Sequence, residues 1–311
     1  GRDSIDYCDF IDLVDLDGAC TPETYHKQKL DENTEIDEWG VVRGLAAGEW
    51  QGYPIEGPIK SLKDLEGYAP PDPWAPHRWE RLKKLVGRFK GRKAIVVHIH
   101  DAFLFPANLR GGEDKLLMDF YDNPKLAKAL AELSTGYHVE LVKHALKLGA
   151  EVFVSGDDYA YKTGPMMSPQ HFREFILPGL KRVVAAVKEG GGYFIKHSDG
   201  NVWSLLDMFL EAGVDAINPL EPVAGMDIGE VKKKYGNRVA IMGNVDCGEV
   251  LSRSPLEVVR ETVLDCLRKA APGGGYIMSS SNSIHRSVRP ENYMEMIRVT
   301  REYGQYPIKI E

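Results

Sequence analysis

The chain has 311 residues, 43% of them hydrophobic, and its 39 basic side chains against 46 acidic ones give a formal net charge of −7. No apolar run approaches the roughly 20 residues that cross a bilayer, and no basic run suggests nucleic acid, so we expect neither as a partner. The four cysteines lack CxxC spacing and the N-terminus lacks a signal-like stretch, which favours a reduced, cytoplasmic protein.

The first 76 residues predict an irregular N-terminal segment. We expect a strand at residues 7–16 and part of a hairpin at residues 37–42 (DEWGVV). Prolines at positions 54, 58, 70, 71 and 73 predict extended chain, which in compact enzymes often lies over a site as a rim. The sequence starts at Gly1 rather than Met, and we expect an upstream segment to precede it.

From residue 77 to residue 311 the pattern alternates between strand and helix. Strands are predicted near residues 94–100, 151–155, 193–199, 214–219, 238–246 and 276–280, each followed by a helical pattern. Repeated βα units predict parallel strands with right-handed crossovers, and no GxGxxG follows any strand to favour an open nucleotide-binding sheet. We therefore predict an α/β fold of one domain, a (β/α)8 TIM barrel, to which the N-terminal region and the upstream segment supply the two remaining strands.

Polar side chains follow all six predicted strands, at the carboxyl ends where such barrels place their sites. His197 and Asp199 share one face of their strand because residues two apart point to the same side. The catalytic candidates are His197, Asp199, Asp157, Asp158 and His100. The substrate-binding candidates are His98, Asp101, Tyr159, Asn201, Asn218, Asn244, Asp246, Ser280 and Asn282. For any single member, helix capping or a structural hydrogen bond is the alternative.

Four aromatic side chains lie on or near the same loops or the N-terminal rim. They could form walls for a planar ring, with ordinary packing as the alternative: Trp39, Phe103, Tyr159 and Tyr161.

Six short stretches, in this order, resemble the uroporphyrinogen decarboxylase superfamily over about residues 7–308. They are GDD at 156–158, GPMMSP at 164–169, KHSDGN at 196–201, EAGVD at 211–215, GNVD at 243–246 and PGGGY at 272–276. The resemblance implies an eight-stranded α/β barrel. These six stretches do not distinguish the decarboxylases from the other branches of the superfamily.

Two features differ from true uroporphyrinogen decarboxylases. An Arg-Gln-Ala-Gly-Arg run near the N-terminus is not seen, and VHIHD at 97–101 replaces a small-residue strand end, which argues against a large tetrapyrrole substrate. The other branch contains methyltransferases that work with corrinoid proteins. The resemblance to it implies an O-demethylase component, which moves a methyl group from a small methoxy or methyl-ether substrate to a separate corrinoid (cobalamin-binding) protein.

The coenzyme M methyltransferases of that branch hold zinc on a His-x-Cys pair and on a cysteine near the last strand. Here the pair is His197-Ser198-Asp199, and residues 279–282 contain no cysteine. We therefore predict a site whose ligands are the harder donors nitrogen and oxygen instead of sulfur. In it His197, Asp199 and Glu221 bind a divalent ion such as Zn²⁺ that polarises a substrate oxygen.

Two other functions stay open. The first is a decarboxylase of the uroporphyrinogen type, which would need cations to bind an acidic substrate and could draw on loop residues 110, 162, 286 and 289. The second is a ligand-binding relative without catalysis.

Overall fold

The computed structural model describes residues 5–45 and 52–310. The chain divides into two compact units: unit 1 comprises residues 1–16, 158–166 and 195–311, and unit 2 comprises residues 17–157 and 167–194. The strands in the described residues are β1 (Gly18–Pro22), β2 (Lys27–Lys29), β3 (Thr34–Asp37), β4 (Val42–Gly44), β5 (Tyr53–Glu56), β6 (Ala94–Ile99), β7 (Val152–Ser155), β8 (Ala160–Tyr161), β9 (Gly164–Pro165), β10 (Tyr193–His197), β11 (Ala216–Asn218), β12 (Ala240–Val245) and β13 (Tyr276–Ser280).

From β6 onward one or more helices follow most of these strands. The helices are α1 (Tyr7–Val14), α2 (Leu62–Glu66), α3 (Glu80–Phe89), α4 (Leu104–Arg110), α5 (Glu113–Asp122), α6 (Pro124–Leu148), α7 (Pro169–His171), α8 (Leu177–Glu189), α9 (Leu206–Ala212), α10 (Ile228–Tyr235), α11 (Val250–Arg253), α12 (Leu256–Ala270) and α13 (Pro290–Tyr303). Short 3₁₀ turns cover Pro76–Trp79 and Pro222–Ala224, and a π-helical stretch, Phe172–Ile176, joins α7 to α8. None of these helices combines the length and the apolar character that a membrane span requires.

Unit 2 contains three parallel strands, β1, β6 and β7, and a separate antiparallel sheet in the order β2-β3-β4-β5. Gly18 pairs with Ala94, so the N-terminal region supplies one strand of the parallel sheet, as predicted. The antiparallel pairing of β3 with β4 confirms the hairpin that was predicted at residues 37–42. Residues 46–51 lie outside the described part of the chain.

Unit 1 contains the parallel strands β10, β11, β12 and β13. The first two residues of β10 belong to unit 2, where the Tyr193 N–H donates to the Glu151 carbonyl over 3.0 Å. The register of β10 and β11 pairs His197 with Asn218, and the register of β12 and β13 pairs Asn244 with Ser279. These pairings bring polar strand-end residues together although they are 21 and 35 positions apart in the sequence.

All six predicted strands are present, and the pairings of β1 with β6, β6 with β7, β10 with β11, β11 with β12 and β12 with β13 are parallel. The α/β class with a parallel sheet is therefore confirmed, and the described residues contribute seven such strands. The eighth strand, the closure into a barrel and the division at residue 76 stay predictions.

The strand predicted at residues 7–16 is wrong, because this stretch forms helix α1. The Asp6 side chain caps its first turn by accepting the Cys8 N–H over 2.9 Å. Cys8, Ile11 and Val14 are buried at a spacing of three, which is the spacing of one helix face rather than of a strand.

Candidate functional site

Three strand-end side chains of unit 1 converge: Asp158, His197 and Asp199. One ligand atom from each lies within 4.8 Å of the other two, and no other such group of three occurs in residues 5–45 and 52–310. Nε2 of His197 lies 3.6 Å from Oδ1 of Asp158 and 3.5 Å from Oδ1 of Asp199. The backbone also contributes, since the Asp199 N–H donates to Oδ1 of Asp158 over 2.8 Å.

The orientation of His197 is set by Asn218, the residue paired with it on β11. Nδ2 of Asn218 lies 3.4 Å from the Met242 carbonyl, which can only accept, and 3.5 Å from Oγ of Ser279. Oδ1 of Asn218 therefore faces His197, 2.6 Å from Nδ1. Because an amide oxygen can only accept, this network assigns the proton to Nδ1 and leaves a lone pair on Nε2 toward the two carboxylates.

Asp199 is held on one side only. Its Oδ2 accepts a hydrogen bond from Nδ2 of Asn282, whereas its buried Oδ1 has no hydrogen-bond partner among the described residues. Burial and, next, the negative charge of Asp158 raise the pKa of Asp199 to about 6, although His197 opposes this shift. An unpartnered buried carboxylate oxygen is costly unless a cation or a donor meets it.

These residues fit a divalent metal ion. Imidazole nitrogen and carboxylate oxygen are both zinc ligands, and a set of three protein ligands leaves the fourth tetrahedral position open. A tetrahedron with bonds of about 2.1 Å has edges of about 3.4 Å, close to the two His197–carboxylate distances above. The unpartnered Oδ1 of Asp199 and the free lone pair of His197 both supply what a cation needs.

Glu221, the third ligand predicted from the sequence, is not brought into this group. Its Oε2 accepts the Gly200 N–H over 2.9 Å. The structure places Asp158 beside His197 and Asp199 instead. The second carboxylate of Gly156-Asp157-Asp158 is the sequence signal for this ligand, whereas the position of Glu221 after the adjacent strand favours Glu221.

A second group lies in unit 2. Nδ1 of His100 lies 2.7 Å from Oδ1 of Asp157, whose side chain is completely buried. The rings of His98 and His100 are 5.2 Å apart, and a Cβ on Gly156 would come within 2.3 Å of Nε2 of His98. The absence of a side chain at residue 156 therefore leaves the space that His98 occupies.

Comparison with known proteins is decisive at the level of the family. The family model described as uroporphyrinogen decarboxylase (URO-D) matches residues 43–303, which is most of the chain. The chain belongs to the URO-D family. Curated relatives of this family member include the uroporphyrinogen decarboxylase of Thioalkalivibrio sulfidiphilus, 24% identical over 84% of this chain and 75% of that protein, and the one of Hordeum vulgare, 25% identical over 74% and 69%.

Among solved structures, this URO-D family member is similar to a methyltransferase from Methanosarcina mazei. The TM-score is 0.73 with 16% sequence identity, over 96% of this chain and 84% of that one. At this identity the similarity shows a common fold.

The remaining predicted residues of the URO-D family member have partners within their own chain. Asn201 donates to the Ala224 carbonyl over 3.0 Å, and Asn244 donates to the Leu220 carbonyl over 2.7 Å. Asp246 accepts the Glu249 N–H over 2.7 Å and so caps the turn before α11. Ser280 donates to the Asn282 carbonyl over 2.7 Å. Their roles toward a substrate stay predictions.

Asp101 is buried, and its Oδ2 accepts from Oγ of Ser155 over 2.6 Å. Tyr159 is also buried, with Nζ of Lys196 lying 4.2 Å from the centre of its ring. Of the four aromatic side chains that could form ring walls, three are buried in packing: Trp39, Phe103 and Tyr159. Tyr161 is 58% exposed. These four residues therefore give little support to the prediction of a planar aromatic substrate.

Proposed function

We propose that this URO-D family member is a methyltransferase that moves a methyl group from a small methyl ether to the corrinoid of a separate protein. The observation that supports this is the convergence of Asp158, His197 and Asp199, a donor set with two carboxylates and no thiolate. Such a hard set suits a substrate that presents oxygen. The methyltransferase fold of the Methanosarcina mazei protein is compatible with it.

The reaction transfers the methyl group as a CH₃⁺ equivalent. Both electrons of the C–O bond stay on the oxygen, which then takes up a proton, and the two electrons of the new bond come from Co(I) of the corrinoid. When bound, Zn²⁺ would act as a Lewis acid toward the leaving oxygen. The chain's own residues prepare the site: Asn218 keeps the Nε2 lone pair of His197 available, and Asn282 fixes the carboxylate of Asp199.

Measurement of bound metal tests this proposal first. The wild-type protein should bind about one Zn²⁺ per chain, and Asp158→Asn and Asp199→Asn should each weaken binding by about 100-fold, because each removes a ligand. Glu221→Gln is the matched control, since its carboxylate contacts the Gly200 amide, and should change affinity by no more than about threefold. Full affinity in Asp158→Asn with loss in Glu221→Gln would restore the ligand set predicted from the sequence.

Activity is measured with cob(I)alamin as the methyl acceptor and a methoxy compound such as 2-methoxyphenol as donor. We expect methylcobalamin to form with the wild-type protein, and to fail to form with Asp199→Asn. Methyl transfer by a metal-free wild-type protein would disprove the metal site while leaving the reaction intact.

The second candidate function is decarboxylation, which the names of the curated relatives favour. The relatives are 22% to 26% identical to this chain, which leaves the substrate open. Release of CO₂ from uroporphyrinogen III by the purified protein, without methyl transfer, would establish this function and reject the methyltransferase proposal.

A further inference from the structure

The buried carboxylate of Asp157 has two tasks, divided between its two oxygens. Oδ2 accepts the backbone N–H groups of Asp101, Phe103 and Leu104 over 3.2, 3.0 and 3.1 Å and so fixes the turn that leads into α4. Oδ1 lies 2.7 Å from Nδ1 of His100. The turn is held by Oδ2 alone, so it does not explain the contact between Oδ1 and the imidazole of His100.

The contact determines the protonation of the imidazole. A carboxylate that already accepts three amides is an acceptor toward Nδ1 as well, so His100 carries its proton on Nδ1 and a lone pair on Nε2. The side chain of His100 is 15% exposed, whereas that of Asp157 is 0% exposed. The imidazole is thus the part of the pair that a solute can reach. A buried aspartate that fixes the imidazole in this way leaves Nε2 to accept a hydrogen bond from a bound solute.

A neighbouring histidine adds a second observation. Nδ1 of His138 donates to the Ser134 carbonyl over 2.8 Å, and its buried Nε2 has no hydrogen-bond partner in the described part of the chain. The rings of His100 and His138 are 6.0 Å apart, and Phe105 lies 5.1 and 4.9 Å from them. Two neighbouring imidazoles therefore present acceptor nitrogens beside an apolar ring. A ligand for this place would bring a hydrogen-bond donor on an apolar body.

We propose that His100 and Asp157 form a hydrogen-bonded dyad that binds the hydroxyl group of a phenol. The phenol donates its O–H to Nε2 of His100. A phenol suits this place better than an alkyl alcohol because its O–H is the stronger hydrogen-bond donor and its ring can pack against Phe105, whose ring lies 5.1 Å from that of His100. This dyad goes beyond the proposed function and does not depend on the metal site.

Nitrogen NMR of the full chain, labelled with ¹⁵N-histidine, tests the proposal with a matched pair of probes. His100 of the free protein should show the tautomer with hydrogen on Nδ1. Phenol should shift its Nε2 resonance, and anisole, which has the same ring without the donor, should not. A hydrogen on Nε2 in the free protein, or equal shifts with the two probes, would overturn the proposal.

Two variants separate the dyad from a structural pair. His100→Gln should weaken phenol binding by about tenfold or more, as expected for the loss of one good hydrogen bond in a desolvated place. The exposed histidine variant His285→Gln should bind phenol as the wild type does. Asp157→Asn should move the proton of His100 to Nε2, because its amide would then donate to Nδ1, and should weaken phenol binding likewise. Equal phenol affinity in His100→Gln and His285→Gln would disprove the dyad, whatever the stability of Asp157→Asn.

Discussion

Oδ1 of Asn218 lies 2.6 Å from Nδ1 of His197, and this contact decides which nitrogen of the imidazole faces Asp158 and Asp199. The orientation of the amide is determined in turn by the Met242 carbonyl, which needs a donor. If the amide were turned over, Nε2 would carry the hydrogen and could not bind a metal. Asn218 thus acts on the proposed metal through His197.

The first prediction concerns this residue. Asn218→Ala should lower the affinity for Zn²⁺ by about 10- to 100-fold, since it frees His197 to change its tautomer and orientation. The matched control is Asn237→Ala, the same substitution at an exposed position of unit 1, and it should leave the affinity unchanged. Zinc titration of both variants measures the effect, and equal affinities would show that Asn218 has no part in holding the metal.

The second prediction concerns Gly200, which follows Asp199 with a φ of +80°. A Cβ there would lie 2.5 Å from the Ala160 carbonyl oxygen, which is backbone and cannot easily move. Gly200→Ala should therefore destabilise the protein by about 3 kcal/mol, the sum of a left-handed backbone and a steric clash.

Gly273→Ala provides the control for that measurement. Its φ of +82° is nearly the same, but a Cβ there would meet no atom within 4 Å. It should cost only the backbone contribution of about 1 kcal/mol. Urea denaturation gives both values, and equal losses would mean that the chain near Ala160 yields to the added methyl group.

The third prediction concerns the pH dependence of stability. Burial, and next the nearby His100, lower the pKa of His138 to about 3 from an ordinary value of 6.5. Between these two pH values His138 is protonated in the unfolded chain but neutral in the folded chain. The free energy of unfolding therefore decreases as the pH falls from about 6.5 toward 3. The slope from this one group is at most about 1.4 kcal/mol per pH unit.

Replacement of the histidine isolates this contribution. The free energy of unfolding of His138→Gln, measured by urea denaturation from pH 7 to pH 4, should fall less steeply than that of the wild type. His285→Gln removes an exposed histidine and should keep the wild-type slope. Parallel curves for all three proteins would show that His138 accepts its proton in the folded state.

The fourth prediction concerns the buried cation of unit 2. The side chain of Arg78 is fully buried, with Nη1 lying 3.4 Å from Oε2 of Glu23 and Nη2 lying 2.7 Å from Oε2 of Glu38. Arg78→Met should cost about 3–5 kcal/mol at pH 7, because it leaves two carboxylates without their cation. Burial already raises the pKa of Glu23 and Arg78 opposes this, so the variant should lose less stability at lower pH, where Glu23 is protonated.

An exposed pair serves as the control for Arg78. Arg253 and Glu249 are 3.7 Å apart, with side chains 76% and 66% exposed, so Arg253→Met should leave the stability nearly unchanged. Comparable losses in the two variants would contradict the assignment of the Arg78 effect to burial.

The sequence by itself determined the α/β class, the six strands from residue 94 onward and the family. These depend on local patterns: apolar runs of strand length, amphipathic helices between them, and short motifs such as residues 196–201. It also marked His197 and Asp199 as neighbours, because alternation along one strand is a local property. The same reasoning failed at residues 7–16, where the capping Asp6 and the spacing of Cys8, Ile11 and Val14 were the better signal.

Only the tertiary structure decided which residues complete each group. Asp158 precedes His197 by 39 positions, Asn218 follows it by 21, and Asn282 follows Asp199 by 83. Strand register and loop path bring these side chains together, and neither can be derived from composition or periodicity. The tautomer of His197 depends further on a carbonyl at Met242, a backbone group that exists for every residue type. Contacts of this kind are set by distance and direction in the folded chain, so the sequence offered the ligands but not their arrangement.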